Sequence, residues 1–152
     1  MIDATEFLSL LQPERTGENR FRGSSLPLDS PAIYGGQLMA QVLHVAAATL
    51  QQPRPAHYLQ TSFIAGGDPA GPLDFTVRNL RDGKSTSNRQ VEVSQDGKTL
   101  VLAAASFQSL SKGYDHQVPM PRVDDPEAML AAGNHLSGFS EEEGAQFPFY
   151  IL

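Results

Sequence analysis

Hydrophobic and polar positions along the chain change period near residue 50. From Tyr34 to Leu50, apolar residues recur every three or four positions, with Leu38, Val42, Val45 and Ala46 on one face and Leu43, Ala47 and Leu50 on the next. That is helical spacing, and a face so wide belongs inside a fold. Alanines at 40, 46, 47 and 48 favour the helix and are small enough to let a sheet approach. Pro53 and Pro55 end it. Beyond them the period falls to two, which predicts strands over 57–64, 73–80, 85–93 and 99–109. Asp82-Gly83 and Asp96-Gly97 lie between strands, and such dipeptides supply the positive φ angles of tight hairpins. The strand over 99–109 is apolar on both faces and therefore central, but one face ends in Ser106 and Gln108, where a site can open. Ahead of the helix, residues 5–11 predict a short amphipathic helix stopped by Pro13, and residues 19–23 alternate as an edge strand would. The pattern as a whole is α+β: an antiparallel sheet wrapped around one long central helix.

Composition narrows the class. The chain has 152 residues, enough for one domain with a real core and a tail. It has no apolar run near 18 residues, which excludes a helical membrane span. Its first residues carry Asp3 and Glu6 where a signal peptide needs bases. With no cysteine, disulfides and thiolate chemistry are excluded, and a reducing cytoplasm fits.

The net charge of −6 is a property of the tail alone. Residues 1–112 hold ten acids and ten bases, whereas residues 113–152 hold seven acids and one base. A neutral body with a separate acidic end argues against a nucleic-acid footprint, which needs clustered bases. The expected organisation is a domain over 1–112, then an acidic, Pro-containing linker over 113–152. A helical stretch starts at Pro126, Glu141–Glu143 form a solvated run, and the apolar residues 147–152 look like the start of a second domain.

Candidate chemistry begins at the helix start. Gly35 and Gly36 leave the first backbone N–H groups uncovered by side chains, and those groups lack partners within a helix. They are a candidate anion or oxyanion site, or else simply permit a tight turn. His57 can be a base or a structural strand-end residue, and His44 reads as a helix histidine. No pair of histidines has metal spacing, so no metal is expected.

Several motifs occur in order: Phe21-Arg22-Gly23, Tyr34-Gly35-Gly36-Gln37, Ser62-Phe63-Ile64 with Gly67-Asp68, Leu80-Arg81-Asp82-Gly83-Lys84-Ser85, and Ala105-Ser106-Phe107-Gln108. Together they resemble the N-terminal hotdog of the acyl-CoA thioesterase II family, from about residue 5 to residue 121. The resemblance implies a hotdog fold and hydrolysis of acyl-CoA thioesters without a cofactor. Members of that family resemble two hotdogs in tandem, with an Asp, Thr or Ser, and Gln trio in the second. By the likeness of the two halves, Gln37 stands where the second half has its Asp, and Gln108 where it has its Gln. An amide orients water or a carbonyl but moves no proton, and no acid occurs between Asp29 and Asp68.

Because hotdogs pair edge to edge with the ligand between units, the resemblance also implies a homo-oligomer. Arg81, Lys84, Ser85 and Arg89 then become partners for the phosphates or pantetheine of coenzyme A, or ordinary hairpin solvation. Thr61 becomes a donor to the substrate carbonyl or a water, or a buried hydroxyl satisfied by backbone. Three functions follow: a thioesterase with catalytic candidates Gln37, Gln108 and Thr61; a non-catalytic acyl-CoA-binding or regulatory hotdog; and a related hydratase. The hydratase needs an Asp or His at the helix start, and Gln37 speaks against it.

Overall fold

The computed structural model describes residues 4–26 and 30–131. The chain divides into two compact units, Met1–Lys112 and Gly113–Leu152. In the second, the described part is an exposed segment with neither helix nor strand, followed by a helix over Pro126–Ala131, whose first turn is capped where Asp125 Oδ1 accepts from the Ala128 N–H at 2.7 Å. The acidic run Glu141–Glu143 and the apolar residues 147–152 lie outside the described residues.

The first unit opens with α1 (Ala4–Leu10) and a hairpin of β1 (Glu14–Gly17) and β2 (Arg20–Gly23). The central helix α2 (Gly35–Ala47) follows, and then β3 (Ala56–Phe63), β4 (Leu73–Asp82), β5 (Thr86–Gln95) and β6 (Lys98–Gln108). All pairings are antiparallel, in the order β1-β2-β4-β5-β6-β3. Helix α2 lies on one face of this sheet against β3, β4, β5 and β6, as its apolar face demands. Leu38, Val42, Val45 and Ala46 are buried there against inward residues Phe75, Val77, Val91, Val93, Val101, Ala103, Ala105 and Phe107. Ala103 and Ala105 are small where α2 crosses, so close packing needs no displacement of the helix.

Two local features differ from expectation. The strand over residues 19–23 is not the edge: β1 pairs outside it, with Glu14 opposite Arg22 and Arg15 opposite Phe21. The β1 segment Glu-Arg-Thr-Gly is too short and polar to show alternation, and its turn is made by Asn19 at φ 56°. The Asp96-Gly97 turn has positive φ at both residues, 49° and 78°, the primed geometry a two-residue hairpin requires. Asp82-Gly83 does not. There the strands stop at Asp82 and resume at Thr86, with Gly83 N–H donating to Thr86 O at 2.8 Å after a bulge between Asn79 and Arg81.

The two sheet edges are unlike. The β1 edge has four residues and is mostly polar. The β3 edge has eight, pairs among the described residues only with β6, and leaves Tyr58 and Phe63 about half exposed. A long free edge with exposed aromatics is a template for a further strand.

Candidate functional site

Helix α2 begins without a side-chain cap: Tyr34 is its N-cap residue, in extended conformation, and makes no capping hydrogen bond. No acidic residue lies in its first turn. Both glycines lie close under aromatic rings. A Cβ on Gly35 would meet the Phe63 ring at 3.0 Å, and one on Gly36 would meet the Tyr34 ring at 2.7 Å. The helix start is thus flanked by two aromatic rings, one from the end of β3.

Beside it lies a pocket of about 350 Å³ lined by Ile33, Leu38, Phe63, Ile64, Ala65, Gly66 and Gly67. Its floor is tightly built. A Cβ on Gly67 would stand 2.5 Å from Leu100 Cδ1 and 2.8 Å from Ile33 Cδ1. Gln95 pins the loop beneath: its Oε1 accepts from Asp68 N–H at 2.7 Å and its Nε2 donates to Asp68 O at 3.0 Å. The lining is chiefly apolar, which suits a hydrocarbon chain.

Thr61 lies on β3 opposite Ala103, on the side of the sheet that faces α2. Its Oγ1 is buried and, among the described residues, has no hydrogen-bond partner. The expectation of a backbone-satisfied hydroxyl therefore fails, and an orphaned buried hydroxyl costs on the order of 1–3 kcal/mol until something completes it. On the same strand, His57 Nε2 lies 2.9 Å from Ser106 Oγ, at the opposite end and in an exposed position.

Gln37 is not presented to this pocket. It is 2% exposed; its Oε1 accepts from Leu26 N–H at 3.0 Å, and its Nε2 faces Ser24 O and Gln41 Oε1 at 3.3 Å each. Gln41 continues the ladder, donating to Leu10 O and Ser24 O at 2.9 Å. These two amides tie α1 and the segment after β2 to the helix. Helical spacing with Leu38 and Val45 already put Gln37 and Gln41 on the inward side. Gln108 is elsewhere again. It sits half-buried at the end of β6, sharing the outer face with Ser106, and its N–H donates to Pro55 O at 3.0 Å. Within this chain Gln37, Thr61 and Gln108 do not form one cluster.

Arg89 also needs correcting, since it has no guanidinium left for a ligand. It is fully buried: Nη2 contacts Asp82 Oδ1 at 2.8 Å and Oδ2 at 3.1 Å, Nε donates to Thr49 Oγ1 at 2.8 Å, and Nη1 donates to Arg81 O and Asn88 O. It shares strand parity with the inward Val91 and Val93, a signal readable in the sequence. Asp82 is held below the usual carboxylate range, first by hydrogen bonding with Ser87 and then by Arg89 and the charge of Arg54, against an opposing effect of burial. Arg81, Lys84 and Ser85 remain exposed around the β4–β5 connection.

Arg54, set between two prolines, was not expected to matter. Its Nη1 donates to Ser87 Oγ at 2.8 Å and its Nη2 donates to Gly83 O and Lys84 O at 2.9 and 3.1 Å, stitching the connection shut. Among the described residues, no three His, Cys, Asp or Glu side chains are placed to hold a metal, and no helix is long and apolar enough to cross a membrane.

A single helix laid across a six-stranded antiparallel sheet, with a pocket at the helix start, defines a hotdog domain. A solved protein with hot dog fold from Alicyclobacillus acidocaldarius superposes with a TM-score of 0.70 at 22% identity, covering 80% of this chain and 47% of that one. The family model for the acyl-CoA thioesterase N-terminal domain matches residues 25–108, and the chain belongs to that family. It is 36% identical over 120 residues to acyl-CoA thioesterase 2 of Haemophilus influenzae, covering 79% of this chain and 42% of the relative. The tesB protein of Mycobacterium avium subspecies paratuberculosis superposes with a TM-score of 0.72 at 36% identity, over 82% of this chain and 49% of that one. The chain therefore spans less than half the length of these relatives.

Proposed function

We propose that this chain serves in the hydrolysis of acyl-CoA thioesters to free fatty acid and coenzyme A, as one hotdog of a paired assembly acting in the cytoplasm. The observation that carries the reading is the family match over residues 25–108, which runs from ahead of α2 to the end of β6. The apolar pocket at the start of α2 supports it by offering the acyl group a lining of Ile33, Leu38, Phe63 and Ile64. The uncapped N–H groups of Gly35 and Gly36 face no competing side-chain acceptor from the cap, so they suit a thioester carbonyl as charge develops on its oxygen. Thr61 supplies the hydroxyl that a substrate carbonyl or an attacking water completes.

The proton acceptor for water is not in the first turn of α2, where no acid stands. Pairing through the free edge of β3 is the source the fold favours. An antiparallel β3–β3 junction sets the Arg54 and Gln108 end of each unit beside the α2 start of its partner, which returns Gln108 to the site as an orienting amide.

A second reading is a non-catalytic acyl-CoA-binding hotdog. It is favoured by one observation: Gln37, the polar residue of the helix start, is consumed by internal hydrogen bonds. The purified chain distinguishes the two. Coenzyme A released from an acyl-CoA supports hydrolysis; saturable binding with no release supports the second reading.

A further inference from the structure

At the end of α2 opposite the apolar pocket lies a polar cavity of about 420 Å³, lined by Gln51, Gln52, Arg54, Asp82, Gly83, Lys84 and Ser87. A 13-residue helix separates the two pockets by about 20 Å. We propose that this cavity is a phosphate-binding site, organised by Arg54 with Lys84 and Arg81 at its rim, for a phosphate monoester or diphosphate group.

Positive charge outweighs negative charge around this cavity. Among the described residues, no carboxylate lies within ion-pair distance of Arg54, Lys84 or Arg81; the one acid in the cavity, Asp82, is paired with Arg89 and also feels the charge of Arg54, so one carboxylate stands against four cations. Arg54 is nonetheless immobilised, because three neutral oxygens hold its two terminal nitrogens. Its Nε is buried and, among the described residues, has no partner. A guanidinium fixed in place by neutral acceptors and still short of one is preorganised for an anion, since no ordering cost remains to be met on binding.

One further observation points to phosphate rather than carboxylate. The Arg81 guanidinium reaches over the same turn, with its Nε 3.4 Å from where a Gly83 Cβ would be. Three separate cations around one turn suit a multiply charged group, whereas a single carboxylate needs one fork. The negative end of α2 lies at this end of the fold, but it is already answered: Arg15 Nη2 donates to Ala48 O at 2.6 Å, and Arg89 Nη2 donates to Thr49 O at 3.3 Å. Arg81 and Lys84 keep their charges for a ligand, and Arg54 shares with Arg89 the single carboxylate of Asp82.

This deepens the acyl-CoA reading, because coenzyme A carries such phosphates, but its test does not depend on hydrolysis. The full chain, labelled with ¹⁵N, is titrated with coenzyme A, with sodium pyrophosphate and with pantetheine, which has no phosphate. The expected result is saturable movement of the Gly83, Lys84 and Ser87 amide signals with the two phosphate-bearing probes and none with pantetheine. Lys84→Gln, whose side chain holds no part of the fold, weakens that binding about tenfold, as loss of one charge-assisted contact should. Arg54→Gln abolishes it, with amide dispersion confirming that the variant is folded. Response to coenzyme A but not to pyrophosphate assigns the site to the nucleotide's phosphates, and response to both assigns it to the phosphate group as such. Silence of these amides, or binding unchanged by both substitutions, overturns the proposal. Coenzyme A binding here without hydrolysis leaves the site standing and removes the thioesterase reading instead.

Discussion

Arg89 and Asp82 form an ion pair across the β4–β5 ladder, Nη2 to Oδ1 at 2.8 Å, with the arginine side chain wholly buried and the carboxylate a third exposed. The same guanidinium reaches Thr49 past the end of α2, so one side chain fastens helix to sheet. Removing it leaves Thr49 O and Arg81 O, both partly buried, without this donor. Arg89→Ala is expected to cost about 3 kcal/mol, the lower range for breaking a buried pair, because Asp82 can still reach water. Arg89→Lys should rescue little, since a point charge cannot serve this fork of acceptors. Urea unfolding with matched m-values checks both.

Asp82 also sets an acid limit. Its folded pKa is depressed by Ser87, Arg89 and Arg54, so its ionisation stabilises the fold at neutral pH. That contribution is complete above the unfolded carboxylate value of about 3.9 and is lost as pH falls below it, through the folded value. Urea midpoints should therefore drop below about pH 4, and Asp82→Asn should lower the neutral midpoint and flatten that part of the profile. An unchanged acid slope in the variant would contradict this assignment.

The Gln37–Gln41 ladder predicts a structural rather than a catalytic phenotype. Gln41→Ala leaves Ser24 O and Leu10 O without their donor and should cost about 2 kcal/mol. Gln37→Ala should likewise lower the melting temperature, while folded protein at low temperature keeps its acyl-CoA affinity within about threefold. A large loss of affinity with unchanged stability would return Gln37 to the site.

At the apolar pocket, Gly67→Ala places a methyl group against Leu100 and Ile33 and should destabilise by about 1–3 kcal/mol through overpacking. Because the same contact narrows the pocket, long acyl chains should lose more affinity than short ones. Equal loss for all chain lengths would place the acyl group elsewhere.

Much of this was legible from spacing. The helical period of Leu38, Val42, Val45 and Ala46 marked the buried rod, and Asp96-Gly97 marked a true two-residue hairpin. Asp82-Gly83 misled, because the Arg89 and Arg54 contacts hold a longer connection whose backbone needs no positive φ. Arg89 and Gln37 were placed by charge and motif, although strand parity and helical spacing already pointed both inward. Arg54 was invisible for the opposite reason. Its partners are two carbonyls and the Ser87 hydroxyl, 29 to 33 residues away, and sequence carries no sign of them.

The thioester account is tested most directly by coenzyme A release from an acyl-CoA at neutral pH, comparing the pure chain with Thr61→Ala of equal stability. The account predicts turnover above the spontaneous rate and a fall of about a hundredfold on losing the hydroxyl, the scale of one transition-state donor. A folded chain that releases no coenzyme A, or releases it equally well without the Thr61 hydroxyl, would contradict it.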